Sequence, residues 1–299
     1  MKLALQINNY TWEGGPTELS ATLMNIAHAV DEYDFSTLAV ADHLWAVPPW
    51  MGPVEGQIPE CYTLLAYLAA STTRVELMAL ATPPHFRYPA LLAKIVSTLD
   101  VLSSGRAWLG VGAGDYAGEA QGLGIPYPST GERFEMLEET VQICLQMWSG
   151  EHGEDQPYKG KHFQLERALN SPQMPHSAAR LHPPIMIAGS GEQKTLRLVA
   201  RYADACNISP GPDIPRKLDV LRKHCEVEER DYDAIEKTCP FLFDVGEDGD
   251  GSKVKELIEK LRWLAGMGIQ TVFGAVPHVD RITPLEILGR EVIPVVANL

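Results

Sequence analysis

The chain has 299 residues, 45% of them hydrophobic and 21% charged, and its 39 Asp and Glu against 25 Lys and Arg give a formal net charge of −14. This composition excludes extensive disorder, and the acidic surface disfavours nucleic acid as a partner because it repels phosphate backbones. No uncharged apolar run approaches the roughly 20 residues of a membrane span, and the amino-terminal apolar stretch is too short for a signal peptide.

The first half of the chain alternates short β-rich runs with helical patterns. We predict strands at Leu3–Ile7, Thr37–Ala41, Arg74–Ala81 and Ala107–Val111. We predict helices from Gly15 to Tyr33, over Tyr62–Ala70, over Pro89–Ser103 and from Ser129 to Gly150. The first of these helices carries its apolar residues at steps of three and four, which places them on one face. Ser129 and Glu132 form a capping-box pattern at the start of the last one.

Residues 151–184 break the alternation. The segment holds several Gly, Pro and His residues and little periodicity. We expect a long irregular insertion, functional or mobile, with a short hairpin around Tyr158–Leu165.

The alternation then resumes to the end of the chain. We predict strands at Ile185–Ala188, Ala205–Ile208, Cys239–Val245 and Thr271–Val276. We predict helices at Glu192–Tyr202, Arg216–Glu226, Val254–Leu264 and Pro284–Val296. Eight strand–helix units favour an α/β fold, a (β/α)8 TIM barrel formed by residues 1–299 as one domain. The alternative is a doubly wound open sheet, which usually has a Gly-rich first turn that residues 8–15 lack.

The five cysteines are an odd number without C-x-x-C spacing. We therefore expect a reduced, cytoplasmic protein without disulfides or a zinc ribbon. No H-E-x-x-H, nucleophile elbow or Walker sequence occurs, so no metal site is predicted and these hydrolytic and phosphate-transfer chemistries are disfavoured.

In a TIM barrel the active site forms at the carboxyl ends of the strands. The second predicted strand ends at Asp42 and His43, where a histidine beside an aspartate could donate a proton near neutral pH. A structural histidine that caps a loop is the alternative.

Two small-residue turns are candidate cofactor sites. Gly189, Ser190, Gly191 and Glu192 join a strand to a helix, where free backbone N–H groups favour phosphate. Gly112–Gly114 would let a flat ring lie close to the backbone. The alternative for both is an ordinary glycine-rich turn. Three aromatic side chains are either walls of a substrate pocket or packing plugs, namely Trp45, Trp50 and Phe86. Together these features suit a phosphate-bearing cofactor that carries the chemistry itself.

Six stretches of the sequence resemble the luciferase-like monooxygenase superfamily, in particular its branch that uses the deazaflavin coenzyme F420. They are Ala41–His43, Phe86–Lys94, Thr98–Arg106, Leu109–Gly114, Glu132–Phe134 and Ile187–Gly191. The resemblance covers nearly the whole chain and implies a TIM barrel with a long insertion, often dimeric.

The resemblance also implies roles for individual residues. Asp42 and His43 would lie beside the deazaflavin ring, with His43 as the catalytic proton donor or substrate-orienting group. A bulge with a non-prolyl cis peptide at Ala79–Leu80 would support the ring, with Thr82 near its edge.

Further positions match the cofactor contacts of the family. They are Ala113 and Gly114 for the ring, and Gly189, Ser190, Gly191 and Glu192 for the phosphate. Asp115 stands where some relatives have a catalytic Glu. The basic residues with which the sugar-phosphate enzymes of the family hold substrate phosphate cannot be placed here.

The sequence thus predicts an F420-dependent oxidoreductase that transfers a hydride between C5 of the deazaflavin and a small organic substrate. An FMN-dependent monooxygenase that uses reduced flavin and dioxygen is one alternative. A flavin- or deazaflavin-binding protein without turnover is another.

Overall fold

Eight parallel strands form a closed barrel in the computed structural model, which describes residues 1–48, 50–153, 155–175, 180–246 and 251–299. The barrel strands are β1 (Lys2–Ile7), β2 (Thr37–Val40), β3 (Glu76–Ala79), β4 (Ala107–Gly112), β7 (Ile185–Ala188), β8 (Ala205–Asn207), β9 (Glu236–Leu242) and β10 (Thr271–Ala275). Each pairs with the next, and β1 pairs with β10 to close the ring. The predicted (β/α)8 barrel is confirmed and the open sheet is wrong.

Helices connect the strands and cover the outside of the barrel. They are α1 (Gly15–Glu32), α2 (Cys61–Ala70), α3 (Pro89–Leu102), α4 (Ala117–Gly122), α5 (Thr130–Met147), α6 (Thr195–Tyr202), α7 (Ile214–Val227), α8 (Gly251–Gly266), α9 (Thr283–Ile287) and α10 (Ile293–Val296). The capping box at Ser129 and Glu132 is present at the start of α5. None of the described helices is both long and apolar enough to cross a membrane.

Alternating side chains divide the strands between two apolar clusters. Residues such as Leu3, Leu38 and Ile187 belong to the large cluster that packs the strands against the helices. The intervening positions form a second buried cluster inside the barrel, where small and large residues meet: Ala4, Ala39, Met78, Leu80, Met186, Ala205 and Phe273. This packing closes the middle of the barrel, so the open space lies at the carboxyl ends of the strands.

The insertion after α5 contains the predicted hairpin. β5 (Tyr158–Lys159) pairs antiparallel with β6 (Gln164–Leu165). The buried carboxylate of Glu139 on α5 anchors the turn, since it accepts hydrogen bonds from the backbone N–H groups of Lys161 and Phe163 at 2.8 and 2.9 Å. Residues 154 and 176–179 of the predicted insertion lie outside the described residues.

The third barrel strand ends earlier than predicted. β3 ends at Ala79, and the non-prolyl cis peptide joins Leu80 to Ala81. Its predicted position at Ala79–Leu80 is therefore wrong by one residue. Leu80 still hydrogen-bonds β2, and Thr82 pairs with β4. The alternation of side chains in the sequence does not predict this interruption of the strand.

Several other element boundaries differ from the sequence prediction, and the following differences are the largest. Residues 192–194 form a turn, so α6 begins at Thr195 rather than at Glu192. β9 begins at Glu236 and ends at Leu242, earlier than the predicted strand. The predicted final helix is divided into α9, a π-helical turn at Leu288–Val292 and α10.

Candidate functional site

A cavity of about 570 Å³ lies at the carboxyl ends of β2, β3, β4 and β7. Eight of the residues singled out from the sequence line it: Asp42, His43, Phe86, Gly112, Ala113, Gly114, Asp115 and Gly189. The barrel brings them together because all of them follow parallel strands at the same end. Four further lining residues had no role predicted from the sequence, although Arg133 lies in one of the stretches that carry the resemblance: His85, Glu119, Arg133 and Thr195.

His43 is held by a buried carboxylate. Its Nδ1 lies 2.7 Å from Oε2 of Glu119, whose side chain is 1% exposed. The other oxygen of Glu119 accepts a hydrogen bond from the backbone N–H of Leu44. Because a carboxylate accepts at Nδ1, the proton of a neutral His43 ring resides there and Nε2 carries the lone pair. Glu119 lies on the short helix α4, which the sequence analysis did not predict.

Asp42 lines the cavity, and its carboxylate is also hydrogen-bonded to neighbouring side chains. Its carboxylate oxygens accept hydrogen bonds from Arg87 at 2.5 and 3.2 Å and from the hydroxyl of Thr82 at 2.7 Å. Arg87 also contacts Glu60, and Thr82 shares a hydrogen bond with the hydroxyl of Tyr62. Burial raises the pKa of the Asp42 carboxyl, and the charge and hydrogen bonds of Arg87 counteract part of that rise. The hydroxyl of Thr82, predicted at the ring edge, is used in this network and does not line the cavity.

A buried cation supports the glycine-rich end of β4. Arg133 is 6% exposed and donates to the carbonyl oxygens of Ala113, Gly114 and Pro128 at 3.0, 3.1 and 2.7 Å. Its guanidinium lies 4.1 Å from the ring centre of Tyr127. All of these partners are uncharged, and within the described ranges no carboxylate forms an ion pair with Arg133. Arg133 therefore forms no direct ion pair among the described residues, although the carboxylates of Asp115 and Glu119 line the same cavity.

The turn after β7 contributes less to the cavity than the sequence predicts. Gly189 and Thr195 line it, but Ser190 donates to and accepts from Ser209 on the neighbouring loop. Glu192 instead forms an ion pair with Arg216. Gly191 likewise does not line the cavity.

His85 presents two unused nitrogens in the wall of the cavity. Both ring nitrogens are buried and find no hydrogen-bond partner among the described residues. The ring makes edge contacts with Phe86 and Tyr127 at centroid distances of 4.8 and 5.2 Å. Burial, with a smaller contribution from Arg133, lowers the pKa of His85 to about 4. His85 is therefore neutral at pH 7, and it is available to hydrogen-bond a ligand.

The depressed pKa of His85 predicts an acid-sensitive fold. Between the unfolded value of 6.5 and the folded value of about 4, the unfolded chain binds more protons, so the free energy of unfolding falls as the pH falls through this range. His85→Gln removes this term, and we expect its stability to fall less steeply than that of the wild type. Denaturant unfolding at several pH values measures the difference, with His28→Gln on α1 as the control for loss of an imidazole. Parallel curves for wild type and His85→Gln would contradict the prediction.

Besides Thr82, Ser190, Gly191 and Glu192, four more predicted residues lie outside this cavity. Ala79 and Leu80 are buried below it. The ring of Trp45 packs against Gly122 of α4, with its Nε1 buried. Trp50 is 78% exposed and lines a second cavity beside β1, β9 and β10. Of the three aromatic residues proposed for the substrate wall, only Phe86 lines the first cavity.

The first cavity fits the deazaflavin that the sequence motifs imply. Residues 112–114 present backbone and at most one methyl group, so a flat ring can lie against them. Gly114 has φ +72°, and a Cβ there would lie 3.0 Å from His85 Cε1 and from Pro83 Cβ. The guanidinium of Arg133 lies at this wall, and the buried nitrogens of His85 lack partners among the described residues. At the other end, the ammonium group of Lys194 lies 5.3 Å from the ring centre of Phe134, beside Thr195.

Comparison with known proteins agrees with this geometry. Residues 4–266 match the family described as luciferase-like monooxygenase. The F420-dependent glucose-6-phosphate dehydrogenase of Kineococcus radiotolerans is 30% identical over 233 residues, 76% of this chain and 64% of that protein. The F420-dependent hydroxymycolic acid dehydrogenase of Mycobacterium tuberculosis is 28% identical over 266 residues, 87% of this chain and 65% of that protein. The chain thus spans slightly less than two thirds of the length of both relatives.

A solved structure shares the fold over its whole length. An F420-dependent secondary alcohol dehydrogenase, in complex with an F420-acetone adduct, superposes with a TM-score of 0.79. The superposition covers 99% of this chain and 98% of the other, at 17% sequence identity. At this identity the likeness concerns the fold.

Proposed function

The chain belongs to the luciferase-like monooxygenase family, as its motifs predicted, and we propose that it is an F420-dependent oxidoreductase acting on a small organic substrate. The observation that carries the proposal is the combination found in the first cavity. A glycine-lined wall, supported by the guanidinium of Arg133 without an ion pair, faces the same space as a carboxylate-bound histidine, His43. The wall suits a flat anionic ring, and the histidine suits proton transfer beside it.

The cofactor would be held by groups at both ends of the cavity. Gly112, Ala113 and Gly114 would support the ring, and His85 would offer a ring N–H as a donor. Thr195 and Lys194 would bind the phosphate end, where the amino-terminus of α6 adds its free N–H groups. When bound, F420 supplies the site that gains or loses the hydride.

The protein would supply proton transfer and orientation. In the neutral ring, Nε2 of His43 accepts a proton from a substrate hydroxyl during oxidation, and returns it in the reverse direction. Glu119 keeps the Nδ1–H donating and stabilises the charged ring, much as a buried carboxylate does in other acid–base pairs. Asp115 also lines the cavity, and its predicted catalytic role stays a prediction.

Calorimetric titration with F420 and with FMN tests the proposal. We expect the purified protein to bind F420 at least about tenfold more tightly than FMN, because Arg133 and Lys194 favour the more acidic cofactor; tenfold corresponds to about 1.4 kcal/mol. Tighter binding of FMN would instead favour the monooxygenase. Binding of F420 without its reduction by any alcohol, over a broad panel, would favour a non-catalytic binding protein.

Two glycines provide a matched pair of variants for the titration. Gly114 and Gly124 both have φ +72°, but a Cβ at Gly124 meets no atom within 4 Å. Gly114→Ala and Gly124→Ala therefore carry the same backbone penalty, and only the first crowds His85 and Pro83 in the wall of the cavity. We expect Gly114→Ala to weaken F420 binding and Gly124→Ala to leave it unchanged. Equal effects would place the cofactor elsewhere.

A further inference from the structure

A second cavity, of about 520 Å³, opens at the carboxyl ends of β1, β9 and β10. Gln6 on β1 lines it, and the amide of this residue lies 3.4 Å from the carbonyl oxygen of Leu80. Ala81, which follows Leu80 in the chain, lines the first cavity. The two cavities are thus neighbours around one barrel mouth, separated by the chain that follows β3.

The second cavity is polar and almost without positive charge. Its described lining includes three amide side chains and two carboxylates, from Gln6, Asn8, Asn9, Glu13 and Asp280. Arg281 is the one Lys or Arg in this lining, and His278 stands beside it. A phosphate dianion is usually bound by several cations or by a helix amino-terminus. Two carboxylates against one guanidinium disfavour such a ligand.

Large apolar side chains also line the second cavity. Trp50 is 78% exposed and Leu242 is 55% exposed, although both line this cavity. Trp12 also lines it, and its ring centre lies 5.8 Å from that of the buried Tyr10. A cavity lined by indoles together with amides and carboxylates suits ligands that have C–H faces and many hydroxyl groups, because the rings pack against the C–H faces and the polar groups hydrogen-bond the hydroxyl groups.

We propose that the second cavity binds an uncharged polyhydroxylated substrate, a neutral sugar or polyol, and does not bind a phosphate ester. The proposal rests on the proposed function and deepens it: the bound compound would be the substrate, with its reacting hydroxyl group directed across the barrel mouth toward His43 in the first cavity. Glu13 and Asp280 accept hydrogen bonds from its hydroxyl groups, and Trp12 and Trp50 cover its C–H surface. The amides of Gln6 and Asn8 face the same space and can both donate and accept.

Direct binding measurements test this assignment without relying on turnover. The ligands are a panel of neutral monosaccharides and polyols, each beside its phosphate ester, measured by tryptophan fluorescence and calorimetry in the absence and presence of F420. We expect at least one neutral compound to bind about tenfold more tightly than its phosphate ester. Failure of every neutral compound to bind, or tighter binding of the esters, would overturn the proposal.

Variants link the binding to this cavity. Trp50→Ala and Asp280→Asn should each weaken binding of the neutral ligand about tenfold, the loss expected for one stacked indole or one charged hydrogen bond. Trp263→Ala, which removes a half-exposed indole on α8, is the matched control and should change nothing. Unchanged binding in Trp50→Ala and Asp280→Asn would place the ligand elsewhere. F420 affinity is measured in the same samples. Absence of F420 binding would contradict the proposed function, whereas F420 binding without binding of any neutral ligand would contradict only this inference.

Discussion

Replacement of His43 by Ala is expected to lower kcat by about 10²–10⁴-fold, the usual contribution of a positioned general acid or base. The ring lines the first cavity, and no other described histidine there is held by a carboxylate. F420 affinity should change little, because the glycine wall and Arg133 remain. The assay follows the deazaflavin absorbance with any alcohol that the enzyme oxidises, and calorimetry gives the affinity. Turnover equal to that of the wild type would remove His43 from the mechanism.

Glu119→Gln tests the positioning of the same ring without changing its identity. The amide oxygen of Gln can still accept from Leu44 N–H, which leaves the amide NH₂ to donate to His43 Nδ1. The neutral His43 ring must then carry its proton on Nε2, the reverse of the wild type. We expect kcat to fall, and nitrogen NMR of His43 to show the exchanged tautomer. Wild-type tautomer populations in the variant would contradict the geometry.

Positions after strands could be predicted from the sequence, but their side-chain partners could not. The eight-fold alternation predicts a barrel, and a barrel places Asp42, His43, Ala113 and Gly189 at one end. Partners such as Glu119 come from distant segments. The helix that carries Glu119, Ala117–Gly122, has two Gly residues and no apolar stripe, so periodicity gives no sign of it.

The sequence also could not predict which polar side chains are already hydrogen-bonded within the protein. Ser190 sits in a turn typical of phosphate sites, yet its hydroxyl is bound to Ser209. His85 follows two prolines and shows no pattern, yet its nitrogens line the cavity without partners. Composition and spacing describe which groups are present, whereas hydrogen bonding between elements decides which of them remain available to a ligand.

Asp42→Asn is expected to lower the free energy of unfolding by about 3 kcal/mol. Asp42 has a side chain that is 0% exposed and Arg87 one that is 11% exposed. Removal of one charge from a buried pair leaves the other uncompensated, which destabilises proteins by about 3–5 kcal/mol. The lower end applies because Arg87 keeps its contact with Glu60. Chemical denaturation at pH 7 measures the change.

The control for Asp42→Asn is an exposed pair of the same type. Asp34 and Arg74 lie 2.8 Å apart with side chains that are 72% and 57% exposed, and an exposed pair contributes about 0–1 kcal/mol. Asp34→Asn should therefore cost at most about 1 kcal/mol. The double variant Asp42→Asn/Arg87→Met should lose less than the sum of its single changes, since neither charge is then left alone. If Asp42→Asn is no more damaging than Asp34→Asn but abolishes F420 binding, Asp42 acts on the cofactor, as the motifs imply, and the ion pair contributes little to the fold.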